Sequence, residues 1–149
     1  MPARTSGLDA LAAQQKKDGR FAAVGYCFEG LAVLELARNG TGISGVASIH
    51  GSLHTAHPAQ PGAIKSKIVV CHGALDPHVP MSQVNAFMNE MNHAGADWQF
   101  IAYGGALHGF THEFGPTLPG VADHALSDQR SKIALRNFFA ELFSSDETR

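Results

Sequence analysis

Segments with the character of buried strands alternate with segments of helical character along this chain, and that alternation constrains the fold more than any other feature. Short apolar segments predict four strands, over residues 21–27, 43–51, 66–76 and 97–103. The spacing of apolar residues predicts four helices, over residues 8–18, 31–38, 83–95 and 123–143. This alternation predicts an α/β domain with a mostly parallel sheet of about four strands and helices on both faces.

Residues that favour helix caps mark the expected helix ends. Ser82 is expected to cap the start of the third helix, whereas Gly40 and Gly95 are expected to end the second and third helices. Cys71 lies inside the third strand segment and is predicted to belong to the core. The last helix offers four large apolar side chains to the core: Ile133, Phe138, Phe139 and Leu142.

Length and composition indicate a single globular domain over residues 1–149. The chain is 44% hydrophobic, and its length is sufficient for one core. A formal charge of −2 argues against a nucleic-acid partner, which requires a basic face. No apolar segment approaches the roughly 18 residues of a membrane span, and the N-terminal residues lack the apolar segment of a secretory signal. Two cysteines are too few for a disulfide framework, so a reduced, cytoplasmic location is expected.

A parallel α/β sheet places its sites at the carboxyl ends of its strands. Chemistry is therefore expected just after Tyr26, Ile49, Val70 and Ile101. Cys27 stands at the first of these positions, within the segment GYCFEG, where a sharp turn between strand and helix would expose a nucleophile. The positive end of the following helix would favour the thiolate. A buried structural cysteine is an equally good interpretation of this segment by itself.

Two further strand ends supply the residue types that a cysteine nucleophile needs. Asp76 follows the third strand and His108 follows the fourth, so both are expected at the end of the sheet towards which Cys27 points. A histidine can accept the thiol proton, and a carboxylate can orient that histidine. Asp76 alone could be a turn residue and His108 one of nine histidines, but their combination with Cys27 favours a triad. His112 and Glu113 follow and could contact a substrate.

Two other patterns have simpler structural interpretations. His50, His54 and His57 have a spacing that would align three metal ligands on a helix. Their segment follows a strand and runs into Pro58, which favours a loop over a metal site. The glycines within residues 40–45 match the letters of a dinucleotide-binding fingerprint, but they follow a helix and precede a strand. That order is the reverse of the required one, so they are interpreted as a helix end and a turn.

Four co-linear segments resemble the dienelactone hydrolase family of α/β-hydrolases: GYCFEG, CHGALDPHVP, YGGALHGF and PGVADHALSDQRSKIALRNFFAELF. The resemblance covers the chain from about residue 10 and implies hydrolysis of an ester or lactone through a thioester. It implies Cys27 as the nucleophile, His108 as the base and Asp76 as the residue that orients the base. The backbone N–H of Phe28 would form half of an oxyanion hole. Neither a metal nor an organic cofactor is implied.

The chain departs from the family pattern in two ways. Glu29 stands where the family has glycine, and its side chain is expected to crowd the neighbouring strand or to raise the pKa of Cys27. The family domain is also longer at its N-terminus, where further strands supply a second oxyanion donor and a glutamate that contacts the resting thiol. The chain therefore resembles a truncated domain whose Cys27 strand is a bare apolar edge. We expect a homo-oligomer that covers this edge.

Two hypotheses of different classes follow from these observations. The first is a hydrolase that cleaves a small-molecule ester or lactone with Cys27, Asp76 and His108. The alternative is a catalytically weak or inactive truncated relative that acts as an oligomeric interaction module. The triad favours the first, whereas Glu29 and the missing oxyanion donor favour the second. A metal protein built on the histidine loop is a weaker third possibility.

Overall fold

The computed structural model describes residues 19–115 and 118–144 of the chain. These residues form seven elements: β1 (Ala22–Tyr26), α1 (Phe28–Arg38), β2 (Gly45–Ile49), β3 (Lys67–Gly73), α2 (Met81–Ala94), β4 (Asp97–Tyr103) and α3 (Ala125–Leu142). All four predicted strands are present, and so are the three predicted helices that fall within this range. The helix predicted over residues 8–18 lies outside the described residues.

The four strands form one parallel sheet in the order β1-β2-β3-β4. Tyr26 pairs with Ile49, Ile49 with Cys71, and Cys71 with Ile101. Because of this register, the carboxyl ends of the strands lie side by side at one end of the sheet. The predicted α/β fold class is therefore confirmed, and the residues that follow the strands are neighbours in space.

The sheet is buried between two layers of helices. Its first face packs on α1 and α2, in a core that includes Val33, Leu34, Val46, Ile68, Val70, Val84, Phe87 and Met91. Its second face packs on α3, in a core that includes Ala47, Ile49, Val69, Cys71, Leu135, Phe138 and Leu142. Neighbouring residues of β2 and β3 belong to opposite cores because side chains alternate along a strand. The predictions of helices on both faces and of a buried Cys71 are confirmed.

The core-facing side of α3 differs in part from the sequence prediction. Phe138 and Leu142 are buried, as predicted, and Phe139 is partly buried. Ile133 is 50% exposed, so its prediction as a core residue is wrong. It is five positions from Phe138, and at 3.6 residues per turn this places it on a different face of the helix. None of the helices in residues 19–115 and 118–144 is both long and apolar enough to cross a membrane.

The start of α2 also differs from the prediction. The helix begins at Met81, and Pro80 occupies the cap position with extended backbone, so the prediction of Ser82 as the cap is wrong. Ser82 lies inside the first turn because the fixed φ of Pro80 already starts the helix. Gly95 ends α2 with a left-handed φ of 71°, and Asn39 and Gly40 follow the end of α1. These two helix ends are confirmed.

A buried ion pair connects α1 to α2 and to the loop between β2 and β3. The Nε atom of Arg38 donates to Glu90 Oε2 at 2.9 Å, and Nη2 donates to Oε1 at 2.8 Å. The same guanidinium donates to the carbonyl of Leu53, and Glu90 accepts the backbone N–H of Ala59. Both side chains are almost fully buried, so the pair holds the loop against both helices.

β1 is a lateral strand of the sheet. It pairs with β2 on one side, and among the described residues no strand pairs with its other side. Gly25 is buried, whereas Val24 is 37% exposed. A lateral strand has unpaired backbone N–H and C=O groups that can pair with another chain.

Candidate active site

Cys27 lies in a strained turn between β1 and α1. Its φ of 54° and ψ of −122° are unusual for a residue with a side chain. A Cβ at Gly25 would collide with the carbonyl of Glu29, and a Cβ at Gly30 would lie 2.6 Å from Ser48 Oγ. The two glycines therefore permit the close turn that the sequence predicted around Cys27.

Glu29 does not crowd the neighbouring strand. Its side chain is exposed, and the close approach to β2 is made at Gly30 instead. The expectation of steric crowding at Glu29 is therefore wrong, because the glycine that the packing requires is the next residue along the helix.

The Cys27 thiol is paired with a histidine whose sequence pattern indicated only a candidate metal ligand. Its Sγ atom lies 3.3 Å from Nδ1 of His50. His50 follows β2, is 1% exposed and has a left-handed φ of 42°. Its Nε2 atom lies 2.9 Å from Thr111 Oγ1, and its backbone N–H donates to the carbonyl of Cys71 at 2.8 Å. The rule that chemistry follows Ile49 would have identified His50 directly.

The surroundings of Cys27 favour the thiol over the thiolate. Burial raises the pKa of Cys27 most, and the negative charges of Asp76 and Glu29 raise it further. The sequence indicated two opposing effects on this pKa, a lowering by the helix end and a raising by Glu29; the net effect is a raised pKa, to which Glu29 contributes. A reaction at this sulfur needs a base to accept its proton.

Asp76 and His108 form the hydrogen bond that the sequence predicted. Nδ1 of His108 donates to Oδ2 of Asp76 at 2.8 Å, and the Asp76 side chain is fully buried. Burial by itself would raise the pKa of Asp76, but the hydrogen bonds from His108 and from the backbone N–H of His78 lower it overall. The ionised carboxylate fixes the proton on Nδ1 and leaves Nε2 available for proton transfer.

Backbone hydrogen bonds join the loops that carry Asp76 and His108. The N–H of Ala74 donates to the carbonyl of Tyr103 and that of Leu75 to the carbonyl of Ala106, both at 2.9 Å. A Cβ at Gly73 would lie 2.6 Å from the carbonyl of Leu107, so glycine is required where the loops meet. The two loops therefore form one packed unit.

Each of the four strands is followed by one residue of the site: Cys27, His50, Asp76 and His108, in the order of β1 to β4. Within the described residues, no hydrogen bond joins Cys27 to His108. The ring of His50 lies near both, with Nδ1 3.3 Å from the Cys27 sulfur and its centroid 5.8 Å from that of His108. Burial, followed by the neighbouring His112 and His108, lowers the pKa of His50 to about 4, so this ring is neutral near pH 7.

The histidine loop after β2 does not form the metal site considered for it. Residues 50–57 contain no helix, and His54 and His57 are exposed. The favoured interpretation as a loop is confirmed. His50 instead has Cys27 and His112 as its potential co-ligands.

Open space borders the site on two sides. A cavity of about 550 Å³ is lined by His78, His108, Leu118, Pro119 and Val121. A second cavity of about 350 Å³ is lined by Tyr26, Thr111, His112, Asp128 and Lys132. The lining of the second cavity agrees with the expectation that His112 could contact a substrate. Phe28 is the first residue of α1, so its backbone N–H has no acceptor within the helix.

Comparisons with known proteins agree with this fold. The sequence model described as the dienelactone hydrolase family matches residues 3–143. An uncharacterized protein of Caenorhabditis elegans, K02A2.1, is 35% identical over 129 residues, which cover 84% of this chain and 82% of that protein. A solved structure described as a dienelactone hydrolase-like promiscuous phosphotriesterase, P91, from metagenomic libraries is 39% identical, with a TM-score of 0.79.

Another solved structure, named m3DLH, is 34% identical with a TM-score of 0.76. The comparisons with these two structures cover 92% and 97% of this chain, but only 59% and 68% of the respective solved chains. The chain therefore spans about three-fifths of the length of P91.

Proposed function

This chain belongs to the dienelactone hydrolase family, and from that premise we propose that it hydrolyses carboxylic esters or lactones through an acyl thioester on Cys27. The observation that carries the proposal is the 2.8 Å hydrogen bond from His108 to the buried Asp76 carboxylate. This pair lies at the same end of the sheet as the strained Cys27 turn. A protonated thiol needs a base oriented in this way. No cofactor takes part in the proposed reaction.

The first half of the reaction forms the thioester. His108 Nε2 accepts the thiol proton of Cys27, and the sulfur attacks the carbonyl carbon of the ester. The negative charge on the carbonyl oxygen is stabilised by the backbone N–H of Phe28, and one such donor contributes about 2.7–4 kcal/mol in other hydrolases. The C–O bond then breaks, and the leaving oxygen takes the proton from His108.

The second half of the reaction releases the acid. His108 accepts a proton from water, and the resulting hydroxide attacks the thioester carbonyl. The C–S bond breaks, the carboxylic acid leaves, and the proton returns from His108 to the Cys27 sulfur. Asp76 stabilises the imidazolium ion that forms in both halves.

His108 is a better candidate for the base than His50, although His50 lies nearer to Cys27. The imidazolium form of His108 would be stabilised by a carboxylate at 2.8 Å, whereas burial and two neighbouring histidines disfavour that of His50. We propose that His50 accepts the thiol proton as a hydrogen bond in the resting state. The Cys27 side chain then exchanges His50 for His108 when substrate binds.

Acylation of Cys27 by a chromogenic ester tests the proposal. With p-nitrophenyl acetate, we expect release of nitrophenolate and transfer of one acetyl group to the Cys27 sulfur, measured by mass spectrometry of peptides from the quenched reaction. Cys71 is a matched control because it is the other free cysteine, is 0% exposed and has a pKa raised to about 11 by burial. The variant Cys71→Ala is expected to acylate normally.

Two outcomes would contradict the proposal. Nitrophenolate release without acetyl on Cys27 would exclude the thioester route. An absence of both release and acylation would favour the alternative function, that of an inactive relative which acts as an interaction module.

Hydrolysis of phosphotriesters is a second candidate function. The observation in its favour is the 39% identity to a protein described as a promiscuous phosphotriesterase. The same sulfur could attack phosphorus in place of carbon, with His108 in the same role. A p-nitrophenyl dialkyl phosphate in the same assay separates the two substrate classes.

We also propose that a second copy of the chain covers the free side of β1. The partly exposed Val24 and the absence of a pairing strand among the described residues support this assembly. Light scattering during size-exclusion chromatography at micromolar concentration is expected to give the mass of two or more chains. Val24→Lys is expected to shift the mass towards one chain, because charge on a lateral strand opposes pairing. A wild-type protein that elutes as a single chain would contradict the proposal.

A cytoplasmic location is the final part of the proposal. Its support is that both Cys27 and Cys71 are free thiols, as is usual in a reducing compartment.

A further inference from the structure

Three possible metal ligands meet beside the candidate nucleophile: Cys27, His50 and His112. Cys27 Sγ lies 3.3 Å from Nδ1 of His50, and with a ring nitrogen of His112 the three ligand atoms all lie within 4.8 Å of one another. The rings of His50 and His112 meet edge to face with centroids 4.9 Å apart. These residues come from the turn after β1, the end of β2 and the loop after β4. The group is therefore formed by the fold and not by a local sequence motif.

The separations in this group approach those of a tetrahedral zinc site. Bonds of about 2.3 Å to sulfur and 2.0–2.1 Å to nitrogen place tetrahedral ligands roughly 3.3–3.6 Å apart. The Cys27–His50 pair already meets this requirement. His112 is half-buried on a loop, and its ring nitrogen needs to move by roughly 1.5 Å at most.

The surroundings of His50 resemble those of a metal-binding histidine. Its Nε2 atom lies 2.9 Å from the hydroxyl oxygen of Thr111. When Nε2–H donates to that oxygen, the lone pair of Nδ1 is directed at Cys27. Metal-bound histidines are commonly oriented by such a hydrogen bond from their other ring nitrogen.

We propose that Cys27, His50 and His112 bind a thiophilic divalent cation of the zinc type and that the bound cation blocks the nucleophile. The inhibition, though not the binding, rests on the proposed function. On binding, the thiol releases its proton to solvent and the sulfur donates an electron pair to the cation. The fourth position is filled by water. A sulfur held in this way cannot attack a carbonyl carbon, and a chelator that removes the cation restores it.

Cobalt(II) is the probe for the site because its absorption spectrum depends on the number and type of its ligands. Titration of the full chain with cobalt(II) is expected to produce the visible bands of a tetrahedral ion and a sulfur-to-cobalt charge-transfer band in the near ultraviolet. Zinc added afterwards is expected to remove both signals. In the ester assay, zinc is expected to stop turnover at one equivalent, and EDTA is expected to restore it.

Variants distinguish this site from adventitious binding. Cys27→Ser is expected to remove the charge-transfer band, and His112→Ala to weaken zinc binding by about 100-fold or more, since it removes one of three protein ligands. Thr111→Val keeps every ligand but loses the hydrogen bond to His50, and is expected to weaken binding about 10-fold. His54→Ala is the matched control, because His54 is an exposed histidine of the neighbouring loop, and it is expected to bind zinc as the wild type does.

The outcomes separate this inference from the proposed function. Cobalt binding without the charge-transfer band, or with equal affinity in His112→Ala, would overturn the site. A chain that binds cobalt through Cys27 but hydrolyses no ester would leave the site intact and overturn the function. A chain that hydrolyses esters and is unaffected by one equivalent of zinc would leave the proposed function intact and overturn the site.

Discussion

His108→Ala is expected to lower kcat for ester hydrolysis by about 10⁴- to 10⁶-fold, the loss found when the histidine of a comparable triad is removed. The reason lies at Cys27, where burial and the charges of Asp76 and Glu29 raise the pKa of the thiol above its ordinary value of 9.0. Without His108, the histidine that remains beside the thiol is His50, and its pKa of about 4 makes it a poor acceptor of the thiol proton. The remaining rate then depends on the small fraction of thiolate that water alone produces.

The rate that remains in His108→Ala is expected to depend on pH, and the direction of that dependence can be predicted. Below the raised pKa of Cys27, the thiolate fraction grows about tenfold for each pH unit. Turnover by His108→Ala is therefore expected to rise with pH and to continue rising beyond pH 9. Steady-state rates from pH 6 to pH 10 measure this, with Cys27→Ala as the variant that shows only the reaction of hydroxide with the ester.

Two further variants test which histidine is the base. His93→Ala is a control at an exposed histidine in the last turn of α2, and it is expected to keep wild-type turnover. If His108→Ala retained activity while His50→Ala lost it, His50 would be the base and the assignment of His108 would be wrong.

Arg38→Met is expected to lower the free energy of unfolding by about 3–5 kcal/mol, because it leaves a buried charge without its partner. Glu90 is almost fully buried and, within the described part of the chain, would retain the backbone N–H of Ala59 as its one hydrogen-bond donor. Methionine keeps much of the length of the arginine side chain, so the loss reports the charge more than the volume. A domain of this size has a total stability of about 5–15 kcal/mol, so urea unfolding should detect the change clearly.

Two comparisons identify the buried charge as the cause. Lys67→Met removes the exposed ion pair with Glu141, which has a similar distance of 2.9 Å, and is expected to change stability by at most about 1 kcal/mol. The double variant Arg38→Met/Glu90→Leu removes both charges and is expected to recover most of the loss. Equal destabilisation by Arg38→Met and Lys67→Met would contradict this account.

The fold, the contact between Asp76 and His108 and the turn at Cys27 could be predicted from the sequence because they depend on strand order and local turns. Apolar strand segments alternate with helices, and the carboxyl ends of parallel strands lie together. Because Asp76 and His108 each follow a strand, they could be placed near each other without any knowledge of the tertiary structure. The turn at Cys27 followed from Gly25 and from the helix that comes after it.

The contact between Cys27 and His50 was missed, although both residues follow strands whose ends were expected to carry the chemistry. His50 is one of nine histidines in the sequence, and only the β1–β2 pairing brings it to 3.3 Å from the Cys27 sulfur. The direction of the pKa shift of Cys27 could not be predicted either, because the sequence indicated opposing effects of the helix end and of Glu29. A local consideration of the helix end omits burial and the charge of Asp76, which the fold brings near the thiol.

The shared backbone contacts of the two inner loops make the distance from base to acid less adjustable than the distance from nucleophile to base in the proposed triad. Hydrogen bonds from Ala74 and Leu75 hold the acid loop to the histidine loop, so the separation of base and acid is set by covalent and hydrogen-bonded neighbours alone. The nucleophile instead extends from the lateral strand β1, which among the described residues pairs with no strand other than β2. A chain that pairs with the other side of β1 would therefore act on the position of the Cys27 sulfur relative to His108, and not on the distance between His108 and Asp76. Assembly could in this way tune reactivity without contacting the substrate.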